Sequence, residues 1–182
     1  FKSEFRQLFA EGITNSNQNS GYDYVHTDAA FMVSKKVGLN NKLAGGFLLR
    51  FTDNEVIKRS IQQFTVIKSL STYRLGHRFA SDQTFETDQD MQFRLRYRLT
   101  FDLPLNGQTV DPTEWYFKIS NEYLNIFKGN IYDLELRLSP NFGYVFTDNN
   151  KLELGLEYRT NDFVNNNTRN RYWLTIGWYL SL

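Results

Sequence analysis

The chain has 182 residues, no cysteine, two histidines and a net charge of +1. Disulfides, thiol nucleophiles and cysteine metal sites are therefore excluded, a multi-histidine metal centre is not expected, and no strong field argues for nucleic acid. Aromatic residues make up 16% of the chain, well above what a core of this size requires, so they need another home.

Hydrophobic periodicity of two dominates, and helical spacing is rare. Alternating segments predict ten strands, over 4–14, 21–36, 42–53, 59–70, 72–85, 89–104, 113–127, 131–147, 151–162 and 169–182. No linker or low-complexity tract divides them, so residues 1–182 are read as one domain. The first segment is the weakest, since Phe5, Gln7, Phe9, Glu11 and Ile13 alternate poorly. Gly45 and Gly46 in the third mark a bend or a close backbone approach. Pro140 lies inside the eighth and removes a ladder donor, so a bulge or a break is expected there, and a break would end the count of ten.

The sixth segment shows the pattern most clearly. Met91, Phe93, Leu95, Tyr97, Leu99, Phe101 and Leu103 take one face, and Arg94, Arg96, Arg98 and Asp102 the other. Most segments exceed ten residues, whereas soluble strands most often have about 5–6 and a bilayer-crossing strand needs about 9–11. No stretch of about 18 apolar residues predicts a membrane helix. Connections roughly alternate between tight turns (Gly38–Asn41, Asp148–Asn150) and longer polar ones (Asn15–Ser20, Asp53–Lys58, Ser81–Asp90, Asn161–Thr168). Outer-membrane barrels have this alternation, with short periplasmic turns and longer external loops. Two connections break it: Asn106–Pro112 is long where a short one is due, and Lys128-Gly129-Asn130 is short.

The fold class that follows is an all-β, antiparallel, up-and-down transmembrane barrel of about ten strands, with its apolar face toward lipid. Its interior then collects Arg94, Arg96, Arg98, Asp102, Lys118 and Glu122 from the middle of the chain. Asp133, Glu135, Arg137, Glu153, Glu157, Arg159 and Arg171 follow from the last three strands. Both signs are present, so these charges can pair and offset their desolvation. The reverse arrangement is a soluble carrier with apolar residues inside, but ten strands of Phe, Tyr and Leu would overfill a small lumen. The chain ends Thr175-Ile176-Gly177-Trp178-Tyr179-Leu180-Ser181-Leu182. This is similar to the terminal strand signal that the barrel assembly machinery reads, with Thr175, Gly177, Leu180 and Leu182 in its places and Leu182 where Phe is more usual. Phe1 stands in place of a start methionine and no signal-peptide pattern is visible, as expected of a processed or trimmed chain.

Four short motifs carry a family resemblance. They are Tyr73-Arg74-Leu75-Gly76-His77-Arg78-Phe79, the Arg-x-Arg-Tyr-Arg strand of residues 93–99, Ile119-Ser120-Asn121-Glu122, and the turn and strand of residues 149–159. In that order the chain resembles domain of unknown function 2490, an uncharacterised outer-membrane barrel family, over residues 73–182. The resemblance implies a barrel in a Gram-negative outer membrane, and an even number of strands puts both termini at the same end, expected to be the periplasmic one. It brings no activity and no catalytic residue.

Three functions are weighed. The leading one is non-enzymatic: a structural or accessory subunit of a larger outer-membrane complex, meeting lipid, the assembly machinery and other outer-membrane proteins. Polar residues on the outward parity, His77 and Asn121, would face such a partner. The second is a narrow solute or ion channel lined by the Arg94, Arg96 and Arg98 ladder, since arginine rings select anions. A salt-bridged plug is the competing reading of the same ladder, because barrels of about eight strands are filled by side chains. The third is a lipid-modifying enzyme using His26 and Asp28, two positions apart on the inward parity. Its serine is missing, for Ser34 and Ser60 have no fixed place. No catalytic residue, metal or cofactor is expected.

Overall fold

The computed structural model describes residues 2–8, 26–53, 55–165 and 167–180. The strands are β1 (Lys2–Leu8), β2 (His26–Lys36), β3 (Asn41–Phe51), β4 (Val56–Ser69), β5 (Arg74–Phe85), β6 (Gln92–Pro104), β7 (Trp115–Lys128), β8 (Ile131–Thr147), β9 (Asn150–Asn161) and β10 (Arg169–Leu180). Nine of them, β2 to β10, form an antiparallel up-and-down half-barrel, and β1 pairs beside β2. Every strand lies beside its neighbour in sequence, so each turn closes a hairpin. One short 3-10 turn, Phe163–Asn165, is the only helical element among the described residues.

The alternation read from the sequence becomes two chemically opposite faces. One carries Phe47, Leu95, Tyr123, Phe142, Leu154 and Ile176, all exposed, with Phe47 at 67% and Ile176 at 71%. The other carries Asp82, Asp102, Glu122, Asp133, Glu135 and Glu153, all buried, with Asp82 at 0% and Glu122 at 1%. A soluble sheet packs its apolar face and wets its polar one. Here the polar face is enclosed by the curl of the sheet and the apolar face is left bare. We call these the inner and outer faces.

Boundaries and turns depart from expectation at particular places. β1 covers Lys2–Leu8 and β2 begins at His26, while the rest of the first expected strand (9–14) and the start of the second (21–25) lie outside the described residues. The sequence stretch 15–20, read as a loop, lies outside the described residues. The connection expected at Asp53–Lys58 is shorter, because Val56 and Ile57 already belong to β4. Thr52 Oγ1 donates to the Glu55 carbonyl (3.0 Å) and accepts from its N–H (3.2 Å), closing the turn. The stretch Ser81–Phe85, where the fifth expected strand and the connection after it overlap, belongs to β5, as the strand bounds 72–85 have it. Gly129 has φ +55°, and the Asp90 carboxylate occupies the space a side chain there would need. That glycine makes the short β7–β8 turn possible.

Pro140 neither breaks β8 nor bulges it. The strand runs unbroken from Ile131 to Thr147, and Pro140 sits opposite Ile119 of β7. On the β9 side the pairing covers Leu136 to Leu138 and resumes at Asn141 in the same register. The proline's missing N–H falls in that gap, and the Asn141 side-chain amide donates to the Ser139 carbonyl (3.0 Å) beside it. Gly155 faces this repair, and any larger residue there would strike Asn141 and the Pro140 carbonyl. The irregularity in this ladder lies instead between Val145 and Thr147.

Candidate functional site

Strict alternation in β6 puts Arg94, Arg96 and Arg98 at successive inner positions, and the neighbouring strands supply their partners. Arg94 Nε and Arg96 Nη2 each lie 2.6 Å from Asp82 of β5, with Arg59 Nε at 3.8 Å on the same carboxylate. Glu122 of β7 takes Arg98 Nε at 2.7 Å, Arg78 Nη2 at 2.8 Å and Arg137 Nη1 at 3.5 Å. Arg137 also pairs with Glu135, and Arg159 with Glu157. Asp133 serves backbone instead, accepting from the N–H groups of Leu134 (2.8 Å) and Asp162 (3.0 Å).

A second cluster sits on the inner face toward the β8–β9 turn. Glu153 accepts from Lys118 Nζ (2.5 and 2.6 Å), from the Tyr116 hydroxyl (2.7 Å) and from the Tyr179 hydroxyl (3.3 Å). Lys151 lies over the Tyr179 ring at 4.8 Å. Tyr116 reaches Glu153 across the space above Gly143, where a side chain would overlap its ring.

The pairing register draws one level of the inner face into a row. Arg78 faces Arg98, Arg98 faces Glu122, Glu122 faces Arg137, Arg137 faces Arg159 and Arg159 faces Arg171. The row spans β5 to β10 and holds five arginines and one acid. Three of its five cross-strand pairs are arginine against arginine, an arrangement that repels unless anions lie close. Beside it, the Arg159 guanidinium lies 5.1 Å over the Trp173 ring, and Trp173 Nε1 is buried with no acceptor among the described residues.

The outer face carries polar side chains in a restricted area. His77 and Asn121 lie on one lateral row with Leu99 between them, as Val66–His77–Leu99–Asn121–Leu138. His77 Nδ1 shares a hydrogen bond with the Tyr97 hydroxyl (3.0 Å). Two hairpin positions away is a group that sequence reading missed: Ser60, Gln62, Ser81 and Gln83. Ser60 pairs with Gln83 and Gln62 with Ser81 across β4 and β5. The Ser81 hydroxyl donates to Gln62 Oε1 (2.9 Å), Gln83 Nε2 donates to the same oxygen (3.3 Å), and the Ser60 hydroxyl donates to Gln83 Oε1. Phe47, Phe64, Phe79, Phe85, Phe93 and Leu95 surround this island through the register. The run Ser60-Ile61-Gln62-Gln63 has no clean alternation, so only pairing with β5 fixes which face its members take.

Every residue of the expected charge network (Arg94, Arg96, Arg98, Glu122, Asp133, Glu135, Arg137, Glu153, Glu157 and Arg159) falls on the inner face. Thr175 and Gly177 also lie on it, opposite Gly155 and Glu153. Leu180 pairs with Asn150, and Leu182 lies outside the described residues. Of the acid–base pair, only Asp28 has its side chain among the described residues. Asp28 is held by Arg50 in a two-point ion pair (2.7 and 2.7 Å), and the His26 side chain lies outside the described residues. Ser60 is on the opposite face from Asp28. Among the described residues no group of three His, Asp or Glu could hold a metal.

No curated protein and no solved structure matches this chain. A family model described as "Protein of unknown function (DUF2490)" matches residues 13–180, which includes the four strand motifs, both inner clusters and the outer polar island. The chain therefore belongs to that family.

Proposed function

We propose that this chain is a closed β-barrel of a Gram-negative outer membrane, with both termini periplasmic, acting without enzymatic activity as an accessory subunit of a larger membrane complex. The observation that carries the membrane part is the inverted burial: ionised side chains inside, large apolar ones outside. In water such an outer face would be a hydrophobic patch far beyond what monomers tolerate. In lipid it is the required surface. Strands β2 to β10 run 11 to 17 residues, enough to cross. Pairing of β1 with β10 would close the sheet and leave no lipid-exposed edge.

The accessory role rests on the outer wall from β4 to β7. Ser60, Gln62, Ser81, Gln83, His77 and Asn121 are polar groups on a surface that lipid would otherwise cover, and such groups mark protein contacts. The inner charges are tied to one another, which favours a plug over an open pore. The test is mild detergent extraction of native membranes followed by mass spectrometry of what travels with the chain. A stoichiometric integral outer-membrane partner is expected, lost when Gln62 and Gln83 are changed to Leu. A barrel that stays monomeric and alone overturns the accessory role. Conductance steps in a planar bilayer would then support the channel.

A further inference from the structure

We propose that the turn end of β2 to β5 is a basic rim that holds anionic phospholipid headgroups, through Lys35, Lys36, Lys42 and Lys68. The inference rests on the reading of the outer face as lipid-facing, and assigns a headgroup class to one sector of that wall. The first argument is composition. The sequence has no Asp or Glu between Asp28 and Asp53, and none between Glu55 and Asp82. All four lysines lie in these acid-free stretches and are exposed. None of them makes an ion pair or a side-chain hydrogen bond among the described residues. Arg74, at the same end, is already held by Asp102 (2.7 Å). The register of β1 stops at Met32 of β2, short of Lys35.

The second argument is placement. Lys36 faces Lys42 directly across β2 and β3, and like charges in that position repel unless an anion lies close. The Ile67 N–H donates to the Asn40 carbonyl (2.8 Å), which holds the β2–β3 turn against the end of β4 and brings Lys68 to the same margin. Lys35 pairs with Leu43 and Lys68 with Leu75, so both stand on the outer face. Each comes two residues after an apolar neighbour on that face, Val33 or Val66. Val37, Leu39 and Leu70 are exposed beside them. An ammonium on a flexible stem at the edge of an apolar wall reaches the headgroup layer while its methylenes stay against the acyl chains.

The third argument is sidedness. At the same end, the connection between β6 and β7 carries Asp111 and Glu114 and no Lys or Arg, and the β8–β9 turn carries Asp148. Positive charge without a partner is thus gathered in one sector rather than spread around the end. Apolar turn residues among the lysines favour a lipid over an acidic protein segment, because a phospholipid offers phosphate and acyl chain together.

The experiment folds the whole chain into vesicles of equal phosphatidylcholine and phosphatidylglycerol, releases it in mild nonionic detergent, and counts retained lipid by native mass spectrometry. Phosphatidylglycerol should be retained over phosphatidylcholine by about fivefold or more, the worth of one lysine near a charged surface. The preference should shrink at raised salt. K35Q/K36Q/K42Q/K68Q should bring the ratio close to parity. K36Q/K42Q and K68Q, each changing less of the rim, should lower it in part. K128Q should leave it unchanged, since Lys128 lies at the opposite end and is paired with Glu86. Equal retention of the two lipids, or a preference that survives the fourfold substitution, overturns the proposal. So does polyglutamate binding through these lysines without any lipid preference, which would assign the rim to an acidic protein segment. Heat-modifiable gel mobility on the same samples separates the two readings. A barrel with the mobility shift but no lipid preference sinks the basic rim alone. A lysine-dependent preference without the shift keeps the rim and sinks the closed barrel.

Discussion

Arg78 of β5 and Glu122 of β7 meet at 2.8 Å across the intervening strand β6. Arg98 of β6 joins the same carboxylate oxygen from between them, at 2.7 Å. One acid thus fastens three neighbouring strands from the inside, at a place where its exposure is 1%. A charge so enclosed stabilises only while its partners stay, which makes it a sensitive point for substitution.

Glu122→Gln should therefore destabilise the chain by about 3–5 kcal/mol, because Arg78, Arg98 and Arg137 would be left facing one another without their acid. Reversible urea unfolding in lipid vesicles, followed by tryptophan emission, measures it. A loss below about 1 kcal/mol would mean that the three arginines find other partners.

The outer face gives the opposite test. Ile176 is 71% exposed, and in a water-soluble protein Ile176→Arg would be close to neutral. Against lipid it should cost about 2–4 kcal/mol near the bilayer middle. The same unfolding assay reads the difference, and a neutral result would put this face in water.

Gly143→Ala places a methyl group where the Tyr116 ring lies. Overpacking of this kind costs about 1–3 kcal/mol. The double variant with Tyr116→Ala should recover part of it, since the clash is gone. Full additivity of the two losses would show that the ring is not the obstacle.

Tyr116→Phe removes one hydroxyl donor from the Glu153 carboxylate and keeps the ring. Bonds to charged groups are worth about 1.5–3 kcal/mol, so a loss in that range is expected. Lys118 and Tyr179 remain on the acid, which argues for the lower end. A double-mutant cycle with Glu153→Gln isolates the pair.

Much of the fold is legible in strands such as β6 and β8, where Phe93 to Leu103 and Tyr132 to Phe146 alternate cleanly. Side-chain direction in a strand has a period of two, so one correct parity assigns a whole strand. Where the pattern is mixed, parity loses its anchor. In β4 the outer set is Lys58, Ser60, Gln62, Phe64 and Val66, while Ile57 and Ile61 lie inside with Arg59. Neither face is apolar there, so parity has no anchor and the polar island stays hidden. Pro140 misleads for a related reason: its cost depends on which neighbour its missing N–H faces, and that is a property of the pair of strands.

The sequence by itself determined that these strands form, that their apolar and charged residues separate onto two faces, and which family motifs the chain carries. Those are local facts, written in spacing and turn residues. The tertiary structure decided which arginine meets which acid, because partners such as Arg78 and Glu122 lie 44 positions apart in the chain. It also decided that five arginines share one level from β5 to β10. Lateral register sets that level, and register is fixed by turn lengths and pairing summed over six strands, which no single strand encodes.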